Sequence, residues 1–407
     1  MLPAPRCLRC LSHRALFLRA QSTLAAQFVF NTRAKQAQRA RAAAAPAFAE
    51  YEYLREEVAG RLVGRLHDIA RTFPVALDLG ANAGSVAGQL LAQRAGGGEG
   101  GGSSAGALPG GLQTLHQLEP CAAMLDRGSA AHGAAAAAAG LALHPRVAPI
   151  DGARLPYEDA SMDLVLSSMA LHWVNDVPGL LAEVRRVLRP DGAFIAAFLG
   201  GDTLMELRCV AAARACAAGS FPCTTSRRLC RPPRPQAHPT GAAPPPPILP
   251  SLLPCSQCAS AAEQERDGGV SPRVSPTMRL ADAGNLLTAA GFALPLVDAD
   301  TFTIEYPSPP ALFRHLKAMG EGNAALGARQ GARRDTLLAT AAAYASLHGD
   351  AGGAVPATFQ VMYMIGWAPA EGQPAAKARG SVPKGFGQRY VEAAPAGGAG
   401  GAGGAGQ

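Results

Sequence analysis

The chain has 407 residues, a length sufficient for one large α/β domain with extensions or for two domains. Its formal net charge is +7. Ala, Gly and Pro are overused, and much of the excess lies in the blocks 96–102, 134–139 and 397–406, which predict segments without a core. No uninterrupted apolar run approaches the roughly 20 residues that span a bilayer. The sequence therefore predicts no transmembrane segment and favours a soluble or peripheral protein.

Most of the excess positive charge lies at the N-terminus. Eight basic residues precede the first acidic residue, Glu50: Arg6, Arg9, Arg14, Arg19, Arg33, Lys35, Arg39 and Arg41. A leader that is free of acids and rich in Arg and Ala is typical of an organelle transit peptide, most often mitochondrial, rather than of a nucleic-acid-binding arm. We predict a transit peptide and basic leader over 1–45. Composition leaves the mitochondrion and the chloroplast both open.

The segment 73–91 predicts a strand, a tight turn and a helix. An apolar run over 75–79 is stopped by Gly80, and helical spacing begins at Val86. The turn, Asp-Leu-Gly-Ala-Asn-Ala-Gly over 78–84, is typical of a nucleotide site, because glycines allow a ligand to approach the backbone at a helix N-terminus. Asp78, Gly80, Ala81 and Gly84 are thus candidate ligand contacts, and a simple turn is the alternative.

Two further strands are predicted to end in acidic residues. A strand over 112–118 leads into Glu119 and Pro120, and a strand beginning at 147 leads to Asp151 and Gly152. A carboxylate at the end of the second strand suits the two ribose hydroxyls of an adenosine, and Asp151 could approach the adenine amine. A carboxylate at such a position can also arise by chance.

The next strand is predicted to open at Ser167 into a polar and aromatic mouth that contains His172 and Trp173. Ligands of open α/β sheets bind outside the carboxyl ends of the strands, which makes these residues candidates for the substrate side. The alternative is that they cap a helix or pack in a lid. After the fifth strand, Asp202, Glu206 and Arg208 are either substrate contacts or a helix cap with an ion pair.

The rest of the chain continues as alternating helices and strands. We predict helices over 50–69, 121–125, 176–188, 280–290, 310–319 and 335–347, a turn over 189–192, and strands over 193–199, 301–306 and 358–367. The order of helix, Leu-Arg-Pro-Asp-Gly and apolar strand is identified as that of a class I S-adenosylmethionine-dependent methyltransferase. The expected fold is Rossmann-like α/β, with five parallel strands and a C-terminal antiparallel hairpin in a seven-stranded sheet.

Four segments resemble one family within this fold. They are Leu-His-Trp-Val-Asn-Asp at 171–176, Gly-Gly-Asp-Thr-Leu-x-Glu-Leu-Arg-Cys at 200–209, Ser-Pro-x-Val-Ser-Pro at 271–276 and Val-Pro-Ala-Thr-Phe-Gln-Val-Met-Tyr-Met-Ile-Gly-Trp at 355–367. The family is the mitochondrial assembly factor of respiratory complex I that is described as a protein-arginine hydroxylase. The fold is also similar to that of bacterial methyltransferases that esterify a malonyl carrier-protein thioester.

The resemblance implies a matrix protein, peripheral to the inner membrane, that binds S-adenosylmethionine and acts on a complex I subunit during assembly. We expect no nucleic-acid partner, because the basic excess lies in the leader, and no metal site, because methyl transfer needs none. The cofactor contacts it implies are Asp78, Gly80, Gly84, Glu119 and Asp151, with Ala81, Pro120, Gly152 and Ser167 beside them.

The chain departs from the family pattern in two places. Asn82 stands where the fold usually has a glycine, and asparagine is the residue after glycine that best tolerates a left-handed backbone. Its side chain lies where it could crowd the methionine end of the cofactor. The stretch 211–262 is rich in Pro and Cys, and we interpret it as a retained intron, with an exposed disordered loop as the alternative. Transcript sequencing that shows this segment spliced into mature message would reject the intron.

The expected boundaries follow from these features: a methyltransferase core over 46–210, its C-terminal part over 263–368, and a disordered Gly/Ala tail over 369–407. The cysteine pairs at 7 and 10 and at 255 and 258 lack the flanking structure of a zinc site, which favours free thiols.

The chemistry leaves three functions open. Methyl transfer needs mainly a positioned methyl donor and the exclusion of water, whereas hydroxylation of an arginine carbon needs an oxygen-activating centre. His348-x-Asp350 has no later histidine to complete an iron triad. The leading hypothesis is arginine modification of a complex I subunit, by hydroxylation or methylation. The alternatives are an O-methyltransferase of a small molecule or acyl-carrier thioester, and a non-catalytic assembly chaperone.

Overall fold

A computed structural model describes residues 28–95, 108–208, 276–326 and 334–374. Residues up to Pro369 belong to one unit, and a second unit is described only over 370–374. The insert 211–262, both cysteine pairs and most of the predicted tail lie outside the described residues. Cys121 is a free, buried thiol.

Helices and strands alternate along most of the described chain. The strands are β1 (Val75–Leu79), β2 (Thr114–Glu119), β3 (Ala142–Val147), β4 (Met162–Ser168), β5 (Leu188–Leu199), β6 (Ala293–Tyr306) and β7 (Val355–Trp367). The helices are α1 (Thr32–Ala43), α2 (Tyr53–Gly64), α3 (Ser85–Ala95), α4 (Ala122–Ala138), α5 (Val177–Val187), α6 (Leu280–Ala289), α7 (Pro309–Ala318) and α8 (Arg334–His348). Short 3-10 helices lie at Phe48–Tyr51, Pro109–Gly111 and Leu171–Trp173.

The seven strands form one sheet in the order β3-β2-β1-β4-β5-β7-β6. The pairs among β1 to β5 are parallel, whereas β7 runs antiparallel to both β5 and β6. This order reverses direction between β1 and β4, which is the switch point where ligands of open α/β sheets bind. The predicted class I methyltransferase fold is therefore confirmed. The antiparallel pair at its C-terminus is joined by α7 and α8.

The sheet carries a core on each face. On one face, Val58 of α2, Leu90 of α3 and Tyr344 of α8 share a cluster with residues of the central strands. On the other face, Val184 of α5 and Leu287 of α6 share a second cluster. Strand β4 lies in the middle of the sheet and is buried along its whole length, and its centre, residues 164–166, is a continuous apolar run.

Three sequence predictions need correction. The alanine block 134–139 extends α4, since alanine is the best helix former, and Ala136 is packed in the core. The strand predicted to start at 147 instead ends there, so Asp151 follows it in a loop. The turn predicted over 189–192 lies within β5, where the register against β4 shifts and Asp191 adopts φ +62°.

The boundaries of two other elements also differ. The helix predicted over 50–69 consists of a 3-10 turn followed by α2, and β6 begins eight residues before the alternating pattern at 301. Among the described residues, no helix is long and apolar enough to cross a membrane.

Candidate functional site

The loop after β1 has three residues in the left-handed region. Gly80 has φ +76°, Asn82 has φ +50° and Gly84 has φ +78°. Asn82 therefore adopts the left-handed conformation that the sequence leads us to expect for an asparagine at this position. The Asn82 side-chain amide donates to the carbonyls of Gly80, at 2.9 Å, and Ser168, at 3.2 Å. The loop is thereby tied to the end of β4.

The glycines of this loop are required by packing inside the protein. A Cβ on Gly80 would lie 2.3 Å from the Cβ of Ala170, and one on Gly84 would lie 3.0 Å from a ring carbon of His132. The sequence pattern indicates clearance for a ligand as the reason for these glycines. The structure gives a different reason, close contact with neighbouring side chains together with positive φ.

Asp78 is a fully buried carboxyl group at the end of β1. Neither of its oxygens has a hydrogen-bond partner in the described part of the chain. Burial, together with the nearby negative charge of Glu119, raises the pKa of Asp78 to about 8. The backbone N–H groups of the loop do not donate to Asp78. Those of Gly80 and Ala81 donate to the carbonyl of Leu118, and that of Asn82 donates to the carboxylate of Glu119. Asp78 is therefore an acceptor that lacks a donor.

Glu119 organises the carboxyl end of β2. Its carboxylate accepts from the backbone N–H of Asn82 at 2.9 Å and of Cys121 at 3.0 Å, with Pro120 forming the turn between Glu119 and Cys121. Arg39 of α1 lies 3.5 Å away as its cationic partner. A carboxylate has about four acceptor positions, so these contacts leave capacity for ligand hydroxyls.

Two other predicted contacts are used by the protein itself. Asp151, beside Gly152 at φ +65°, accepts from the side-chain amide of Asn175 at 2.6 Å and from the backbone N–H of Asp176 at 3.0 Å. The Ser167 hydroxyl donates to the carbonyl of Leu79 at 2.7 Å. The adjacent Ser168 hydroxyl is buried without a partner among the described residues. Their roles toward a ligand stay predictions.

His172 and Trp173 meet at one buried carboxylate, that of Glu321. His172 Nε2 lies 3.2 Å from Glu321 Oε2, and the indole N–H of Trp173 donates to the same oxygen at 2.5 Å. The other oxygen of Glu321 accepts from Arg55 at 2.6 Å, and Arg55 also pairs with Glu52. Although burial opposes it, the hydrogen bond with His172 and the charges of Lys35 and Arg55 hold the pKa of Glu321 well below its ordinary value.

The N-terminal segment closes over this network. Lys35 of α1 donates to the carbonyls of Gly320 and Gly322, at 3.0 and 2.7 Å, and its ammonium lies 3.3 Å from the centre of the Trp173 ring. Burial lowers the pKa of Lys35 well below its ordinary value. The backbone N–H of Asn31 donates to the carbonyl of Ala324 at 2.7 Å. Part of the predicted leader over 1–45 thus packs against the site.

Most of this network carries no sequence signature. Glu52, Arg55 and Glu321 belong to no motif, and composition places Lys35 and Arg39 in the leader. These residues are charges without a distinguishing pattern around them, and charges in helices usually lie on a solvated face.

The three candidate residues after β5, Asp202, Glu206 and Arg208, form hydrogen bonds with residues outside the Glu321 network. Asp202 accepts from the side chain of Gln360 at 3.1 Å, and Glu206 accepts from the backbone N–H of Thr358 at 3.1 Å. Arg208 donates to the carbonyl of Thr203 at 3.3 Å. The contacts of Asp202 and Glu206 tie the segment after β5 to β7, and a role of Asp202 toward substrate stays a prediction.

Within the described ranges, no group of three or more His, Cys, Asp or Glu side chains is arranged to hold a metal ion. His348 ends α8 and packs against the ring of Tyr344, with ring centres 5.5 Å apart.

The buried polar atoms that lack a hydrogen-bond partner among the described residues indicate which kind of ligand would fit the site. Both oxygens of Asp78 and the side-chain oxygen of Asn82 need donors, and the Ser168 hydroxyl needs a partner. Two carboxylates, Asp78 and Glu119, end neighbouring strands that are in register. Hydroxyl and ammonium groups would satisfy these acceptors, which is the chemistry of the adenosyl amino acid S-adenosylmethionine.

The family model and the curated relatives agree with a methyltransferase fold. The family model described as a methyltransferase domain matches residues 94–196. The chain is 32% identical over 358 residues to "Arginine-hydroxylase NDUFAF5, mitochondrial" of Danio rerio, covering 88% of each chain. It is 30% identical over 220 residues to a malonyl-[acyl-carrier protein] O-methyltransferase of Xylella fastidiosa, covering 54% of this chain and 56% of that one. Among solved structures, the YcgJ protein of Bacillus subtilis is similar with a TM-score of 0.41 and 13% identity, covering 76% of this chain and 99% of that one.

Proposed function

We propose a function from one premise, which is that the chain belongs to the family of the mitochondrial arginine-hydroxylase NDUFAF5. The protein is an enzyme of the methyltransferase type that binds S-adenosylmethionine. It modifies an arginine of a respiratory complex I subunit during assembly of the complex, either by methylation with the methyl group of the cofactor or by hydroxylation, which needs molecular oxygen and a redox centre besides the cofactor. It acts in the mitochondrial matrix, at the face of the inner membrane.

The observation that carries the cofactor is the unpartnered carboxyl group of Asp78. A buried carboxyl that is left without a donor costs a few kcal/mol, and a bound ligand that supplies one recovers that cost. Asp78 and Glu119 lie at the switch point of the sheet, where a ligand of this fold binds. Both the position and the chemistry support an adenosyl ligand.

Several residues of this chain would hold the cofactor. Glu119 would accept from the ribose hydroxyls, and Asp78 and Asn82 would accept from the remaining donors of the ligand. Asn82 and Gly80 shape the loop through positive φ. When bound, S-adenosylmethionine supplies an electrophilic methyl group on a sulfonium. His172 and Trp173, held by Glu321, form the wall on the substrate side and exclude water from it.

Binding of labelled S-adenosylmethionine to the purified protein tests the cofactor site. We expect Asp78→Asn to weaken binding by at least about tenfold, because the amide replaces an oxygen that accepts a charge-assisted hydrogen bond. Asp68→Asn, at an exposed position, is the matched control and should bind as the wild type does. Undiminished binding by Asp78→Asn would remove Asp78 from the site.

Mass spectrometry of complex I subunits, from cells with and without the protein, tests the reaction. If an arginine peptide is lighter by one oxygen atom in cells that lack the protein, the reaction is hydroxylation. If it is lighter by one methylene group, the reaction is methylation. Unchanged subunits with stalled assembly would contradict modification and support a chaperone.

The similarity to malonyl carrier-protein methyltransferases favours a second candidate, methylation of an acyl-carrier thioester. Incubation with labelled cofactor and malonyl carrier protein separates the two, since label transferred to the carrier protein would support this candidate against arginine modification.

A further inference from the structure

Arg39 is a buried arginine on α1, a helix that lies outside the sheet. Its side chain is about as inaccessible as the core around it, with 4% of the residue exposed. Its Nη1 lies 3.5 Å from Glu119, and its Nε and Nη2 have no hydrogen-bond partner in the described part of the chain. Arg39 therefore faces the end of β2 with two unfilled donors.

Glu119 does not satisfy this guanidinium. The ion pair is long for a charge-assisted hydrogen bond, which is usually about 2.7–2.9 Å. The same carboxylate already accepts from the amides of Asn82 and Cys121. A guanidinium has five N–H donors in a planar fork that matches a carboxylate, so the two nitrogens of Arg39 that lack a partner in the described part of the chain suit a second anion in the site.

The position of Arg39 is set by packing. Ala42 and Ala43 of α1 lie in a small cluster with Met124 of α4, and Arg127 of α4 donates to the carbonyl of Ala43 at 2.7 Å. At the other end of the helix, the Asn31 side chain accepts from the N–H of Ala34 at 2.9 Å and caps α1. The backbone N–H of Asn31 also donates to the carbonyl of Ala324 at 2.7 Å, so α1 is fixed to the rest of the protein at both ends and Arg39 is held in position.

We propose that Arg39 binds the carboxylate of the methionine part of the cofactor. This inference rests on the proposed function, because S-adenosylmethionine carries one carboxylate and no other anionic group. The site then has acceptors for the donors of the ligand, at Asp78 and Glu119, and a donor fork for its single anion. Arg39 selects for the intact amino acid, as distinct from adenosine alone.

The experiment measures dissociation constants for S-adenosylmethionine and for decarboxylated S-adenosylmethionine, which keeps the sulfonium and the amine. Both ligands are titrated against the full-length wild type, Arg39→Gln and Arg41→Gln. Arg41 lies two residues away on the same helix and is exposed, so its variant is the matched control. Thermal unfolding without ligand reports on the folding of each variant.

We expect Arg39→Gln to weaken binding of S-adenosylmethionine by roughly tenfold or more, the usual effect of losing a hydrogen bond to a charged group. Binding of the decarboxylated ligand should change by less than about twofold, and Arg41→Gln should change neither. In the wild type, the decarboxylated ligand should bind roughly tenfold or more weakly than the intact cofactor. That last comparison needs no variant and holds even if Arg39→Gln fails to fold.

Other outcomes overturn the proposal. Equal losses for both ligands in Arg39→Gln would mean that Arg39 acts only through Glu119. Equal affinity of the wild type for both ligands would mean that the carboxylate is not recognised. A wild type that binds neither ligand would overturn the proposed function itself, a result that differs from the first two.

Discussion

The backbone N–H of Asn82 donates to the carboxylate of Glu119 across 2.9 Å, which joins the loop after β1 to the end of β2. The side chain of Asn82 binds the carbonyls of Gly80 and Ser168, at the ends of β1 and β4. One residue thus connects three strand ends at the switch point of the sheet.

Replacing Asn82 separates its two contributions. Asn82→Ala should lose both side-chain hydrogen bonds, about 1 kcal/mol each, and place an alanine at positive φ, which costs about 1–2 kcal/mol more. Asn82→Gly loses the same hydrogen bonds without the backbone strain. Urea unfolding should therefore show Ala to be more destabilising than Gly by about 1 kcal/mol. Equal losses for the two variants would contradict a strained left-handed backbone.

Binding of the cofactor should release a proton from Asp78. Because the pKa of this group is raised from 3.8 to about 8, the free protein carries it protonated at pH 7. A ligand that donates to the carboxylate favours its ionised form, so affinity should rise with pH between about 6 and 8. Calorimetry in buffers of different ionisation enthalpy measures the released proton, which Asp78→Asn should abolish. Binding without proton release would contradict contact with Asp78.

The same pKa shift fixes the sign of a stability change. A carboxyl group with a raised pKa in the folded state favours folding most below pH 3.8 and loses that contribution as pH rises to about 8. Between pH 5 and pH 8, the free energy of unfolding of the unliganded wild type should therefore fall more than that of Asp78→Asn, which has no carboxyl group to ionise at this position. Urea unfolding of both proteins at the two pH values measures this, and equal changes would contradict the raised pKa.

Glu321→Gln should destabilise the protein strongly. The change leaves the buried Arg55 with Glu52 as its remaining carboxylate and weakens the acceptor for His172 and Trp173. Removing one partner of a buried ion pair usually costs about 3–5 kcal/mol. Glu57→Gln breaks an exposed pair with Arg61 and should cost less than about 1 kcal/mol. Thermal or urea unfolding compares the two, and similar losses would contradict a special role for the buried network.

If an N-terminal leader is cleaved, the mature protein should begin before α1. Lys35 and Arg39 of this helix contact Gly320 and Glu119, so cleavage at the predicted boundary of 45 would remove both contacts. N-terminal sequencing of the protein isolated from mitochondria should find its first residue ahead of Thr32. A mature protein that starts at residue 46 and still binds the cofactor would refute a role for α1 in the cofactor site.

The sequence by itself determined the order of the elements and the identity of the fold. The apolar run before Gly80 and the helical spacing after it depend on local preferences of the backbone and on periodic burial, which a single chain displays directly. Glu119 could be predicted because the end of a strand is a local feature, and parallel strands bring such ends to one edge of the sheet.

Only the tertiary structure decided what surrounds that edge. Lys35 and Arg39 read as part of a leader because composition records charge but not burial. Glu321 lies 266 residues from Arg55 and 148 residues from Trp173, and it meets them only because α2, the 3-10 helix after β4 and the segment after α7 pack together. A buried charge is stabilised by partners that are distant in the chain, and that pairing is a property of the fold and not of any local pattern.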